Sequence, residues 1–171
     1  MRFFRTTKHH KRYWADRKID WEKEYTATWN HPHRLLICEV LKQFEWKSLI
    51  EIGCGSGANL IKIVKTFAGI QVGGIDINAD AIEIAKKTFT PALLKVGTGD
   101  NIMFSDSSAD VVLTDRMLIY VSPRSIHKYI KEIKRIGRNR IVLCEFYEPR
   151  WYKRLLLRWT CLLYTSPSPR D

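Results

Sequence analysis

The chain has 171 residues and a formal net charge of +11, from 29 Lys and Arg against 18 Asp and Glu. Apolar residues make up 45% and aromatics 12%, enough for the core of one domain, and no apolar run approaches the roughly 18 residues of a membrane helix. Cys38, Cys54, Cys144 and Cys161 are scattered without a C-x-x-C pair, which argues against a disulfide frame or a zinc site and predicts reduced thiols in a cytoplasmic setting.

The charge is concentrated at the ends. Residues 1–20 balance at +5, residues 124–160 at +8 and residues 21–123 at −2. Such a field suits an anionic partner, RNA or a lipid headgroup, and equally a plain solvated surface. Residues 1–12 lack apolar periodicity and an apolar h-region, so they predict a mobile basic arm and no signal peptide. From there Tyr13, Arg17, Trp21, Tyr25 and Trp29 recur every four residues, the spacing of one helix face. Asn30-His31-Pro32-His33 reads as a helix start with Asn30 as N-cap and Pro in the first turn. Leu36, Ile37, Val40, Leu41 and Phe44 supply the apolar stripe of that helix. His31 and His33 fit a capping turn with solvated imidazoles better than a metal pair, for want of further ligands. The competing reading makes His31 a candidate catalytic base.

Residues 46–52 predict the first strand, and Gly53, Gly55 and Gly57 follow at alternate positions. Glycines permit positive φ and close approach of a ligand to the backbone. A helix over residues 58–67 follows, and its N-terminus offers N–H groups to a polar ligand. The spacing is G-x-G-x-G. A dinucleotide fingerprint needs G-x-G-x-x-G, and Ala58 stands where its last glycine belongs. Residues 71–77 predict the second strand, ending in Asp76, nineteen residues past Gly57. An ionised carboxylate there has acceptor capacity for both hydroxyls of a ribose. Asn78 is placed to cap a helix over residues 79–89, which Pro91 stops.

Residues 92–96 predict a third strand, and Gly97-Thr98-Gly99-Asp100 a turn. Residues 109–114 read as a buried fourth strand that delivers Asp115 to its carboxyl end, where ligands of open α/β sheets bind. A helix over residues 123–137 turns Ile126, Tyr129, Ile130 and Ile133 inward and its lysines outward. Residues 140–147 predict a fifth strand, and residues 150–160 a last helix.

Leu49 to Leu60 (LIEIGCGSGANL), Asp76 and Asp100, in this order between these elements, resemble the motifs of class I S-adenosylmethionine (SAM) methyltransferases over about residues 35–150. The resemblance implies an α/β, doubly wound, mostly parallel Rossmann-like sheet. It also implies S-adenosyl-L-methionine as cofactor and an unidentified methyl acceptor, a small molecule being favoured. Glu51, Gly53, Cys54, Gly55 and Gly57 would hold the methionine moiety, Asp76 and Ile77 the ribose, and Asp100, Asn101 and Ile102 the adenine. The N-terminal aromatic segment (residues 1–30) would form a lid, with Arg17 paired to the SAM carboxylate. Some nitrogen-methylating members carry Asp-Pro-Pro-Tyr after the fourth strand. Asp115-Arg116-Met117-Leu118 departs from it, so amino-methylation of adenine or cytosine loses support. Asp115, Tyr120 and His31 remain catalytic candidates.

The family sheet has order 3-2-1-4-5-7-6 with an antiparallel seventh strand. Five strands in order 3-2-1-4-5 are expected here, with strands 6 and 7 missing. The string CLLYTSPSPRD at 161–171 resembles a translated sequencing adapter, which makes residues 31–160 an incomplete SAM-binding domain followed by a non-native tail. The fifth strand is then expected to form an exposed edge prone to aggregation. Two other readings stay open: an NAD-type Rossmann enzyme, and a non-catalytic SAM- or RNA-binding module that uses the basic ends.

Overall fold

The structure, a computed structural model, describes residues 7–23, 31–88, 93–145 and 163–167. Five parallel strands, β1 (Ser48–Ile52), β2 (Gln71–Asp76), β3 (Leu93–Val96), β4 (Ala109–Asp115) and β5 (Gly137–Cys144), lie in the expected order β3-β2-β1-β4-β5. Helices α1 (Thr7–Ala15) and α2 (Pro32–Leu41) precede β1, and α3 (Ala58–Thr66), α4 (Ala79–Thr88) and α5 (Ile126–Ile136) connect strands.

Strand alternation builds two cores, because successive side chains leave a strand on opposite faces. Leu49, Val111 and Leu113 pack with Ile37, Leu41, Leu60, Ile63 and Ile82 on one side. Ile50, Ile52, Ile75 and Val112 pack with Ile102, Phe104, Ile133 and Ile136 on the other. Burial on both faces is what a parallel sheet with helical crossovers requires. Glu51 shares the register of Leu49 and is 1% exposed, so a carboxyl sits inside the first core. Gly74 has to lack a side chain: a Cβ there would lie 2.6 Å from Cys54 Sγ.

Several expectations are corrected. Leu163–Pro167 forms a sixth strand, β6, antiparallel to β5, with Arg140 opposite Pro167 and Cys144 opposite Leu163. It lies inside the string read as a non-native tail and takes the place beside β5 that the resemblance gives to an antiparallel seventh strand. Consequently β5 is not an open edge. The strand stops at Pro167, which has no N–H for a ladder. The arm is not irregular throughout, since α1 starts at Thr7. The four-residue aromatic pattern is not one helix: α1 ends at Ala15, and Arg17 and Trp21 lie beyond it. Asn78 Nδ2 donates to the carbonyls of Trp14 (2.9 Å), Ala15 (3.4 Å) and Arg17 (2.8 Å), groups that a longer helix would consume itself. The N-cap of α2 is His31, whose Nδ1 accepts the His33 N–H at 3.4 Å, with Pro32 at the first helical position. β5 begins at Gly137, three residues before its expected start. Asn30, Tyr25, Trp29 and the helix expected over residues 150–160 lie outside the described residues. Among the described residues no helix is long and apolar enough to cross a membrane.

Candidate functional site

The strand order reverses between β1 and β4, and a crevice opens there at the carboxyl ends of the strands. It encloses a cavity of about 440 Å³. Gly53 and Gly55 line it after β1, Asp76 and Ile77 at the end of β2, Gly97, Thr98 and Gly99 after β3, and Asp115, Arg116 and Met117 after β4. Lys11, Trp14, Arg17, Ile19 and Trp21 of the N-terminal segment line it too, and Ile52, Tyr120, Val121, Ser122 and Tyr129 complete the wall. Trp14 packs on Tyr120 with ring centroids 4.5 Å apart, and the Arg17 guanidinium lies 4.8 Å from the Trp14 ring.

The glycine turn is fastened to β2. Gly53 and Cys54 N–H groups donate to the Ile75 carbonyl (2.7 and 3.2 Å), and the Gly55 N–H donates to Asp76 Oδ2 at 2.9 Å. Gly55 has φ +53, and a Cβ on it would reach within 3.4 Å of the Trp21 ring. Asp76 Oδ1 accepts the Asn78 N–H at 2.8 Å. Burial pushes the Asp76 carboxyl up, against the N–H groups of Asn78, Gly55 and Ile77. Each oxygen still has a further lone pair.

A chain of polar side chains runs behind the turn. Asn59 Nδ2 bridges two carboxyls, Glu51 Oε1 at 2.7 Å and Asp115 Oδ2 at 2.9 Å. Asp115 Oδ2 also meets His33 Nε2 at 3.0 Å, and His33 Nδ1 contacts His31 Nδ1. Burial drives the Glu51 carboxyl up to about 8, with Asp115 and Asp76 adding to it and Asn59 opposing. Burial acts on Asp115 too, but the bonds from His33 and Asn59 and the Arg116 charge outweigh it and hold that carboxyl low. Glu145, at the end of β5, accepts from Thr114 Oγ1 (2.9 Å) and from the N–H groups of Met117 and Leu118 (3.2 and 3.1 Å), which fixes the loop after β4.

The structure thus gathers Gly53, Gly55, Asp76, Ile77, Arg17, Asp115 and Tyr120 around one cavity. Other expected residues stand apart from its wall. Glu51 and Cys54 are buried beneath the turn, and Gly57 caps α3. Ile102 is 3% exposed in the core, its N–H donating to Glu132, and Asn101 is exposed. The Asp100 carboxylate takes both bonds of Lys11 Nζ (2.7 Å each) and one from Thr98 Oγ1 at 2.6 Å. His31 is exposed on the far side of His33. Trp21 belongs to the aromatic pattern read as a lid, whereas Lys11, Trp14, Thr98, Arg116 and Glu145 were not offered as site residues by sequence reasoning. Glu145 had a signal of its own, an acid closing an apolar strand as Asp76 does.

Residues 49–139 match a family described as "Methyltransferase domain". A demethylmenaquinone methyltransferase of Tropheryma whipplei is 30% identical over 135 residues, covering 74% of this chain and 54% of the relative. The chain therefore spans about half the length of that relative. A SAM-dependent methyltransferase structure from Methanosarcina mazei superimposes with a TM-score of 0.59 at 27% identity, covering 70% of this chain and 61% of that one. A sugar N-methyltransferase from a Streptoalloteichus species shares the fold at a TM-score of 0.64 and 14% identity, covering 77% and 55%.

Proposed function

The chain belongs to the methyltransferase domain family, and on that premise we propose that it binds S-adenosyl-L-methionine in this cavity and methylates a small-molecule acceptor. The observation that carries the reading is the joint of Gly55 and Asp76: a glycine with no side chain held against a carboxylate with lone pairs to spare. The cavity of about 440 Å³ falls within the roughly 300–1,000 Å³ of small-molecule sites. In this reading Asp76 takes the ribose hydroxyls, the Gly53–Gly55 turn the amino-acid end, and Arg17 its carboxylate. The sulfonium of the bound cofactor supplies an already activated methyl group. The residues of the chain have the remaining tasks of orienting the acceptor and excluding water, for which Trp14, Trp21 and Tyr120 are positioned.

Calorimetric titration tests the reading. SAM is expected to bind, NAD not to bind, and Asp76→Ala to weaken SAM about tenfold or more, the worth of hydrogen bonds to a charged group. Tight NAD binding without SAM binding overturns it.

A further inference from the structure

Part of the basic excess over residues 124–160 falls on the outer face of α5. The helix turns Tyr129, Ile133 and Ile136 inward and leaves His127, Lys128, Lys131 and Lys134 exposed. Arg124, one residue ahead of the N-cap Ser125, is exposed as well. The nearby acids are already engaged. Glu132, the one acid of the helix, accepts from Arg135 Nε and Nη2 (2.9 and 2.8 Å) and from the Ile102 N–H (2.9 Å). Asp106 accepts from Arg135 Nη1 at 2.8 Å. Arg124, Lys128, Lys131 and Lys134 form no ion pair among the described residues. Other surface helices mix their signs: Lys42 meets Glu39 on α2 at 2.7 Å, and Lys86 meets Glu83 on α4 at 3.5 Å. On α5 the three lysines recur every third residue, so they are surface neighbours and repel one another. The stripe also borders the crevice, since Tyr129 lines the cavity, as does Ser122 just before the helix.

We propose that this face of α5 docks a nucleic-acid strand by its phosphate backbone. The inference stands apart from the methyl-transfer reading and holds whatever acceptor the cavity takes. Lys128 to Lys134 span about 9 Å at 1.5 Å per residue, and a strand advances about 3.4 Å per phosphate, so about three phosphates meet three ammonium groups. Each phosphate relieves the repulsion between neighbouring lysines and releases condensed counterions from the strand. An ammonium is a compact charge on a flexible stem, suited to following a backbone rather than to reading base edges. The helix exposes no aromatic ring on which bases could stack, so the contact is with backbone charge and is independent of sequence. A lipid surface fits this face less well. A helix lying on a bilayer offers bulky apolar residues to the acyl layer, and those of α5 are turned into the core.

Fluorescence anisotropy of the full chain with two short labelled single-stranded RNAs of unrelated sequence tests the proposal. Both should bind alike. With about four contacts, each contributing about 0.7 to the salt slope, affinity should fall about fiftyfold between about 50 and 200 mM salt. Lys128→Gln, Lys131→Gln and Lys134→Gln together keep helix propensity and should lower that slope by about 2. Lys47→Gln, Lys65→Gln and Lys87→Gln together remove the same charge, two of them from helices across the sheet, and should leave most of the slope. Lys→Arg at the three α5 positions keeps the charge and should keep the binding. A urea midpoint verifies that each variant is folded. If the α5 glutamine triple does not fold, Lys131→Gln alone, expected to lower the slope by about 0.7, decides. No RNA binding at about 50 mM salt, equal losses in the two glutamine triples, an α5 variant as salt-dependent as the parent, or loss in the arginine triple overturns the proposal. So does sedimentation with phosphatidylserine vesicles that the α5 triple abolishes while RNA stays unbound, which would assign the face to a membrane.

Discussion

Glu51 stands in the middle of β1, in the register of the core, with its carboxyl pushed up to about 8 by burial first and then by Asp115 and Asp76. Near neutral pH it is mostly protonated in the folded chain, whereas in the unfolded chain it ionises around its ordinary value of 4.5. The folded state therefore binds the extra proton between those values, and stability falls as pH rises through that window. Urea unfolding should show a midpoint that declines from about pH 5 to about pH 9, by on the order of a few kcal/mol in free energy. Glu51→Gln keeps an oxygen that accepts from Asn59 Nδ2 and should flatten much of that slope. Asp76 and Glu145, also raised by burial, contribute slope of the same sign, so part of it remains in that variant. A wild-type midpoint no more pH-dependent than that of Glu51→Gln would show that the carboxyl titrates normally. Glu51 was legible in the sequence as part of the strand before the glycines. Its protonation was not, because it follows from complete burial once the core closes and then from Asp115, which Asn59 links to it from the end of another strand. The same holds for His33, which reads as a solvated imidazole until β4 delivers Asp115 beside it.

Among the elements, the N-terminal segment and α4 are joined by one side chain. Asn78 Oδ1 caps α4 through the Ala81 N–H at 3.0 Å, while its Nδ2 holds the carbonyls that end α1. The capping role was readable from Asn78 preceding an apolar helical pattern. The clamp was not, since its partners lie about sixty residues earlier and nothing in the aromatic spacing marks a break at Ala15. Asn78→Ala is expected to cost about 1–2 kcal/mol and to speed amide exchange both at the start of α4 and over residues 11–18. Asn78→Asp keeps a cap oxygen and loses the donors. It should loosen residues 11–18 alone. Unchanged exchange there in the aspartate variant would mean that other contacts hold the segment.

For the whole molecule, hydrophobic alternation, the glycine spacing and acids at strand ends were enough to read the five parallel strands and the side of the sheet on which the cavity lies. What escaped is whatever depends on pairing between distant segments. β6 is the clearest case: Ser-Pro-Ser-Pro argues against regular structure, yet the residues before Pro167 have N–H and carbonyl groups that β5 can satisfy. A chain stopped after Thr160 should leave Gly137–Cys144 paired with β4 alone, its outer edge open, and show concentration-dependent aggregation by light scattering, which the full chain should not. Equal scattering from the two would mean that β6 contributes no protection.

With β6 in place the sheet among the described residues has two edges, β3 and β6, and on the first Leu93 is 67% and Val96 42% exposed. The tail strand moves the second edge outward by one short strand that carries Pro167, a residue with no N–H to offer another chain, so the longer β5 is withdrawn from edge-to-edge pairing.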